Sequence, residues 1–194
     1  MNSNNKKYFF HPSAEVEEGA QVGKNTNIWH NSHIRAGAEV GKNCILGQNV
    51  FVDSRAVIGN NVKIQNNVSV YNEVIIENDC FIGPSAVFTN VINPRAFIER
   101  KDEFKKTVVK KGATVGANAT VVCGTVLGKY SFAGAGSVVA KDLDSYWLVY
   151  GNPARLRGFI CKCGVKLKFT GKTARCRCSK KYRKVTPRKI IPTG

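Results

Sequence analysis

The 194-residue chain has no run approaching the roughly eighteen consecutive apolar residues that a membrane-spanning helix needs. Its N-terminus, MNSNNKKYFF, lacks the apolar heart of a secretory signal. The two absences together lead to the expectation of a cytoplasmic protein with no membrane span. Histidine is scarce: only His11, His30 and His33 occur, all near the start. Acidic residues are missing altogether from Arg155 to Gly194, a stretch holding fourteen Lys or Arg. The net charge of +17 therefore belongs mostly to the tail, since residues 1–154 hold sixteen basic and thirteen acidic residues, or +3. Such a tail can attract nucleic acid or anionic surfaces. Aromatics, which single-stranded nucleic-acid binders interleave with cations, are thin there, with only Phe169 and Tyr182 beyond Phe159. Nucleic acid is thus not the expected partner, and a tail-driven binding protein on an inert scaffold is the alternative of another class.

Helical spacing of 3.6 and strand spacing of 2.0 are both absent as organising periods. What is present is a beat of six. Apolar residues fall on every sixth position from Phe10 through Val16, Val22 and Ile28 to Ile82 and Phe88, and the beat resumes in a new phase from Val109 to Val139. Four residues after each comes a small or modest side chain, such as Ala14, Thr26, Ser32, Ala38 or Cys44. A parallel β-helix explains this, because each hexad is a short strand plus a turn, with the apolar residue inward. Three hexads make an eighteen-residue circuit, and the twenty hexads give six to seven coils, roughly 30 Å of stack at about 4.8 Å per rung.

That circuit aligns His30, Gln48, Asn66 and Pro84 in one column, and Ala36, Ser54, Asn72 and Asn90 in another. Gly and Asn recur at the corners, where left-handed backbone angles suit them. Between Phe88 and Val109 the step is twenty-one residues, which places a fifteen-residue insert, about 91–107, at one corner. Long loops of this kind tend to carry function. After Val139 the beat dissolves; Tyr146, Trp147 and Tyr150 are expected to cap the stack, and Gly-Asn-Pro-Ala at 151–154 to turn the chain away. Residues 1–9 read as a polar, unpatterned arm. The expected organisation is a β-helix domain over 1–154 and a basic, zinc-ribbon-like extension over 155–194.

The hexads, with the ending Gly-Asn-Pro-Ala-Arg at 151–155, resemble the left-handed β-helix acyltransferases of the hexapeptide-repeat superfamily. Three further strings, IWHNSHI at 28–34, GQNVFV at 47–52 with VKIQNNVSVY at 62–71, and GPSAVFTNVINPR at 83–95, are similar to the UDP-2-acetamido-3-amino-2,3-dideoxy-glucuronate N-acetyltransferases of bacterial surface-polysaccharide synthesis. The resemblance covers about residues 8–160. It implies an all-β left-handed parallel β-helix, a homotrimer, acetyl-CoA in a groove between subunits, and a UDP-linked amino sugar acetylated on its 3-amino group. A related class, acting on dTDP-linked 3-amino-6-deoxyhexoses, shares the FTN and Pro-Arg elements and remains the alternative.

Acyl transfer requires a nucleophile held against the thioester, donors for the oxyanion and a route for the proton. The histidines lie well over 10 Å along the stack from the insert within one subunit, at about 4.8 Å per rung. A sugar amine is partly neutral near pH 7 and needs no strong protein base. Asn90 is the leading catalytic residue: its amide oxygen can orient the amine, and the resemblance puts a catalytic asparagine at this FTN position. The alternative is a corner asparagine stacked on Asn72. For a diphosphate and a carboxylate, Arg95, Arg100 and Lys101 of the insert are the candidate cations. Gln65, Asn66 and Tyr71 are candidate sugar or uracil contacts. Gly116, Ala117, Gly134 and Ala135 offer small residues to a pantetheine arm, with Lys141 and Arg155 for its phosphates; glycines can equally serve only the corner. Cys44, Cys80 and Cys123 fall inside the repeat. Cys161, Cys163, Cys176 and Cys178 make two C-x-C pairs that can form a structural zinc site on a small hairpin, the alternative being free thiols.

Overall fold

The computed structural model describes residues 7–193. Its two-residue strands match the beat position by position. The first sheet runs in parallel from Phe9–Phe10 through Asn27–Ile28, Ile45–Leu46, Lys63–Ile64, Phe81–Ile82, Thr114–Val115 and Phe132–Ala133 to Trp147–Tyr150. The second holds seven strands, from Glu15–Val16 to Val138–Val139, and the third six, from Gln21–Val22 to Val126–Leu127. Phe10 opposes Ile28 and Ile64 opposes Ile82, the eighteen-residue circuit. The molecule is a parallel β-solenoid of hexapeptide coils.

The inward side chains, Ile28, Ile34, Leu46, Ile64 and Ile82 among them, are completely buried, each worth roughly 1.5–3 kcal/mol in burial. The small position after each strand also points in; Thr26 and Ser32 are satisfied there, whereas the buried Ser131 Oγ has no hydrogen-bond partner among the described residues. Thr26 Oγ1 donates to Gly41 O at 2.7 Å and Ser32 Oγ to Gly47 O at 2.7 Å. Corner asparagines take left-handed angles, with φ of 62°, 56° and 57° at Asn25, Asn43 and Asn61. Their amides form a ladder up the edge, Asn25 to Asn43 at 3.1 Å, Asn43 to Asn61 at 3.3 Å and Asn61 to Asp79 at 3.0 Å.

The insert enters at the expected corner. Ile76 opposes Val109, thirty-three residues on instead of eighteen. Thr107 already belongs to the returning strand Thr107–Val109, so the excursion ends one residue earlier than expected. At the start, Phe9 pairs with Asn27, so the expected arm over 1–9 begins its strand by then; residues 1–6 lie outside the described part.

The far end departs from expectation. The first sheet carries an eighth parallel strand, Trp147–Tyr150, beyond the six to seven coils counted from the beat. Its Val149 opposes Ala133, and Leu143 bridges Leu127, both sixteen residues apart. The last circuit is two residues short, which is why the beat fades although the coil continues. Tyr146 and Trp147 are buried here, but Tyr150 is 44% exposed with the Arg157 guanidinium over its ring, and is no cap. The chain does not leave after Ala154: Arg155–Phe159 returns antiparallel along Trp147–Tyr150. The remainder folds as a small antiparallel hairpin sheet, as expected, with three strands, Thr173–Arg175, Lys181–Thr186 and Lys189–Pro192. Trp147 Nε1 donates to Arg188 O at 2.6 Å. Lys162, Lys184 and Arg188 rest on the rings of Tyr130, Phe169 and Trp147, so part of the tail's charge packs against aromatic faces.

Cys44, Cys80 and Cys123 are buried in the stack. Burial raises the Cys44 thiol pKa and pushes that of Cys80 up to about 12. A thiol reagent is expected to leave these three unmodified in the native chain, as read by peptide mass mapping, and to reach them only after denaturation.

Candidate active site at the interrupted corner

The second-sheet strand Val87–Phe88 ends with Phe88 buried and delivers Thr89 and Asn90 to the corner where the insert leaves. Thr89 Oγ1 accepts from Cys123 N–H at 2.9 Å, and Asn90 O accepts from Lys105 N–H at 3.1 Å, so both ends of the insert are pinned to backbone. Tyr71, Phe88, Thr89, Asn90, Val91, Ile92, Pro94 and Val122 line an open cleft of about 610 Å³. The structure thus brings Tyr71 and Asn90 together, as the circuit requires.

Several corner asparagines spend their amides on the stack, although those of Asn31 and Asn118 make no hydrogen bond among the described residues. Asn60, Asn66 and Asn78 Oδ1 accept from Lys42, Gln48 and Asn60 N–H at 2.8, 3.0 and 2.7 Å. Asn72 Oδ1 accepts from Arg55 N–H at 3.0 Å and meets Ser54 Oγ at 3.2 Å, the expected column. Asn90 continues that column, yet among the described residues no hydrogen bond reaches its side-chain amide. It faces the cleft with both amide atoms available.

Gln65 and Asn66 lie on a different corner, in a separate cleft with Trp29, His30, Gly47 and Gln48. Their column is as expected, with Asn49 N–H donating to His30 O, Asn67 N–H to Gln48 O and Ser85 N–H to Asn66 O, each at 2.9 Å. The fold of the chain does not bring them to Asn90. His33 sits on the second sheet at the strand His33–Ile34, three rungs before Val87–Phe88, roughly 14 Å along the stack. Its Nε2 is 2.6 Å from Glu17 Oε1. The Ala36 N–H, followed by His33, holds the Glu17 carboxyl below its usual range.

On the insert, Arg100 is committed to Glu103 at 2.6 Å and Lys101 to Glu99 at 2.9 Å. Arg95 is exposed and its guanidinium donates only to the neighbouring Pro94 O at 3.2 Å; among the described residues it has no carboxylate partner. The resemblance favoured Arg95 among the three cations through its Asn-Pro-Arg string; the pairing of Arg100 with Glu103 and of Lys101 with Glu99 was a further signal available in the spacing.

Gly83, Gly116 and Gly134 stack so closely that a Cβ on Gly116 would lie 2.5 Å from Ala135 N, and one on Gly83 2.5 Å from Ala117 N. Coil packing alone therefore demands glycine at positions 83 and 116, beside whatever Ala117 and Ala135 contribute, whereas a Cβ on Gly134 would meet Tyr150 Cβ at 3.0 Å. Lys141 and Arg155 do converge, at a cleft of about 400 Å³ at the end of the stack that also includes Trp147, Asp142 and Arg188. Arg188, far away in sequence, gave no signal of this.

Residues 19–54 and 55–90 match the bacterial transferase hexapeptide family (six repeats), and residues 107–141 the hexapeptide repeat of succinyl-transferase. The chain is a hexapeptide-repeat protein. The matches stop at 90 and restart at 107, so the repeat families themselves bracket the insert. Over 82 residues the chain is 50% identical to a dTDP-3-amino-3,6-dideoxy-alpha-D-galactopyranose 3-N-acetyltransferase from Aneurinibacillus thermoaerophilus, covering 42% of this chain and 43% of that protein. Over 77 residues it is 35% identical to a 2,3,4,5-tetrahydropyridine-2,6-dicarboxylate N-acetyltransferase from Brevibacillus brevis, covering 40% and 30%. The hexapeptide-repeat chain thus spans less than half the length of these relatives. Among solved structures it is similar to a GDP-perosamine N-acetyltransferase variant from Caulobacter crescentus in complex with CoA and GDP-perosamine, at a TM-score of 0.52 and 23% identity, covering 77% of this chain and 55% of that one. The acetyltransferase domain of PglB from Neisseria gonorrhoeae, in complex with acetyl coenzyme A, gives a TM-score of 0.51 at 21% identity, covering 77% and 57%. At those identities the likeness is one of fold. No helix among the described residues is long and apolar enough to cross a membrane.

Proposed function

We propose that this hexapeptide-repeat protein is an acetyl-CoA-dependent N-acetyltransferase acting on the 3-amino group of a nucleotide-linked sugar. The observation carrying the reading is the uncommitted amide of Asn90 in the cleft where the insert leaves the stack. Asn90 Oδ1 accepts an N–H of the sugar amine and turns its lone pair toward the thioester. The C–N bond forms, the C–S bond breaks, and the amine proton leaves with the thiolate of coenzyme A. An amine nucleophile suits a site whose nearest same-sheet histidine is three rungs away. The active form is a homotrimer, a reading supported by the exposed apolar tip of the insert, where Phe97 is 84% and Ile92 54% exposed. A neighbour's corner then supplies Gln65 and Asn66, and small residues such as Gly134 and Ala135 line the path of coenzyme A. Thiol release from acetyl-CoA with a panel of UDP- and dTDP-linked 3-amino sugars tests the reading. Release with an amino sugar and none with its 3-hydroxy counterpart is expected; no release with any amino sugar overturns it.

The sugar itself has two readings. The strings around Gln65 and Tyr71 and the uncommitted Arg95 favour a UDP-linked uronate, whose carboxylate suits a guanidinium fork. The 50% identity over 82 residues favours a dTDP-linked 3-amino-3,6-dideoxyhexose. Arg95→Ala separates them. With a uronate it is expected to raise KM about 10-fold or more, the loss of one charge-assisted hydrogen bond. With a deoxyhexose lacking the carboxylate, KM is expected to stay near that of the unaltered chain.

A further inference from the structure

The strongest unassigned feature is the sulfur cluster at the far end of the stack. Cys161–Val165 and Cys176–Lys180 are conformational duplicates. In the first, Cys161 N–H donates to Val165 O and Gly164 N–H to Cys161 O, both at 2.9 Å. In the second, Cys176 N–H donates to Lys180 O and Ser179 N–H to Cys176 O, again both at 2.9 Å. The fourth residue of each turn is left-handed, Gly164 at φ 84° and Ser179 at φ 71°. A serine pays strain for that angle, so the second turn reproduces the first against its own preference. Each turn also aims a further N–H at its second sulfur, Val165 at Cys163 and Lys180 at Cys178.

The duplicated turns face each other. All four Sγ atoms lie within 4.8 Å of one another, with Cys161 to Cys178 at 3.4 Å and Cys163 to Cys176 at 3.5 Å. Bonds of ~2.3 Å to a tetrahedral ion put sulfurs ~3.8 Å apart, within this spread. We infer that Cys161, Cys163, Cys176 and Cys178 bind one zinc ion as a closed tetrathiolate site. Four Zn–S bonds form as the thiol protons leave to solvent, and the resulting charge of about −2 sits in a tail of fourteen cations and no carboxylate. With every position filled by sulfur the ion is structural, and C-x-C serves where longer spacing is commoner because each closed turn presents its two sulfurs on one side.

The site also ties the tail to the solenoid. Tyr182 is 1% exposed; its hydroxyl donates to Cys161 Sγ at 3.1 Å and accepts from Lys162 N–H at 3.0 Å. Its ring meets Tyr146 of the last coil at 5.6 Å, and Tyr146 stacks on Tyr130 at 5.5 Å. The ion therefore clamps the cover over the end of the stack.

Metal analysis of the full chain, purified under reducing conditions, is expected to give one zinc per chain. Exchange with cobalt(II) is expected to give the visible bands of a tetrathiolate. Cys163→Ser, at an exposed position, is expected to lose the metal without unfolding the solenoid. Chelating the intact chain is expected to speed tryptic cleavage within the tail and to change the near-ultraviolet signal of the buried tyrosines, with the far-ultraviolet signal of the coils retained. Absence of zinc after refolding with zinc, two disulfides by mass in the reduced preparation, or full zinc retention by Cys163→Ser with Cys178→Ser overturns the site. Zinc present, but tail cleavage unchanged by chelation, overturns the clamp.

Discussion

Asn90→Ala is expected to lower kcat by about 10²-fold while leaving KM for both substrates and the assembly unchanged. The truncation removes only the amide. The backbone carbonyl that takes Lys105 N–H, and with it the anchorage of the insert, stays in place. Because no hydrogen bond reaches that amide among the described residues, nothing buried loses a partner, and stability is expected to hold. Asn72→Ala is the matched control one coil below. It strips the acceptor from Arg55 N–H and Ser54 Oγ, so it is expected to cost about 1 kcal/mol of stability with turnover intact. A pair of denaturation curves and a pair of thiol-release assays decide the matter. Unchanged turnover in Asn90→Ala, or the same loss in both variants, removes Asn90 from the chemistry.

The contrast between Asn72 and Asn90 also marks how far the sequence could be read. Where one local rule repeats, it is legible. The inward residue of each hexad, the eighteen-residue register and the corner of the insert all follow from a beat visible in the residues, and the strands fall on it from Phe10 to Val139. Where tertiary contacts decide, it is not. The last circuit loses two residues between Val139 and Leu143, so the eighth rung escapes the count although Val149 is still buried inside it. The tail's fold depends on Tyr182 finding Tyr146 and on Trp147 finding Arg188 O, pairings that no spacing announces. In the insert, charge alone could not separate Arg95 from Arg100 and Lys101; the ion pairs with Glu103 and Glu99 do. Gln65 and Tyr71 sit close in sequence and yet on different corners, since six residues carry the chain from one edge of the prism to the next.

Gly41→Ala is expected to destabilise the chain by about 3 kcal/mol and to lower Tm by roughly 6–12 °C. A Cβ at Gly41 would lie 2.5 Å from Gly59 O and 2.6 Å from Gly59 C, both backbone atoms of the next coil. Nothing there can swing aside. Gly41 N–H donates to Ile58 O at 2.7 Å, and its carbonyl takes Thr26 Oγ1 at 2.7 Å, so moving it disturbs the coil on either side. The spacing of about 4.8 Å between rungs is set by the ladder as a whole and does not widen at one corner. Gly136→Ala is the counterpart. Its φ is 67° but nothing lies within 4 Å of the added methyl group, so it bears only the left-handed penalty of about 1 kcal/mol. Denaturation of the two variants weighs steric contact against backbone angle. Equal losses would mean that coil spacing yields locally, and the stacked glycines Gly23, Gly41 and Gly59 would then owe their identity to the turn alone.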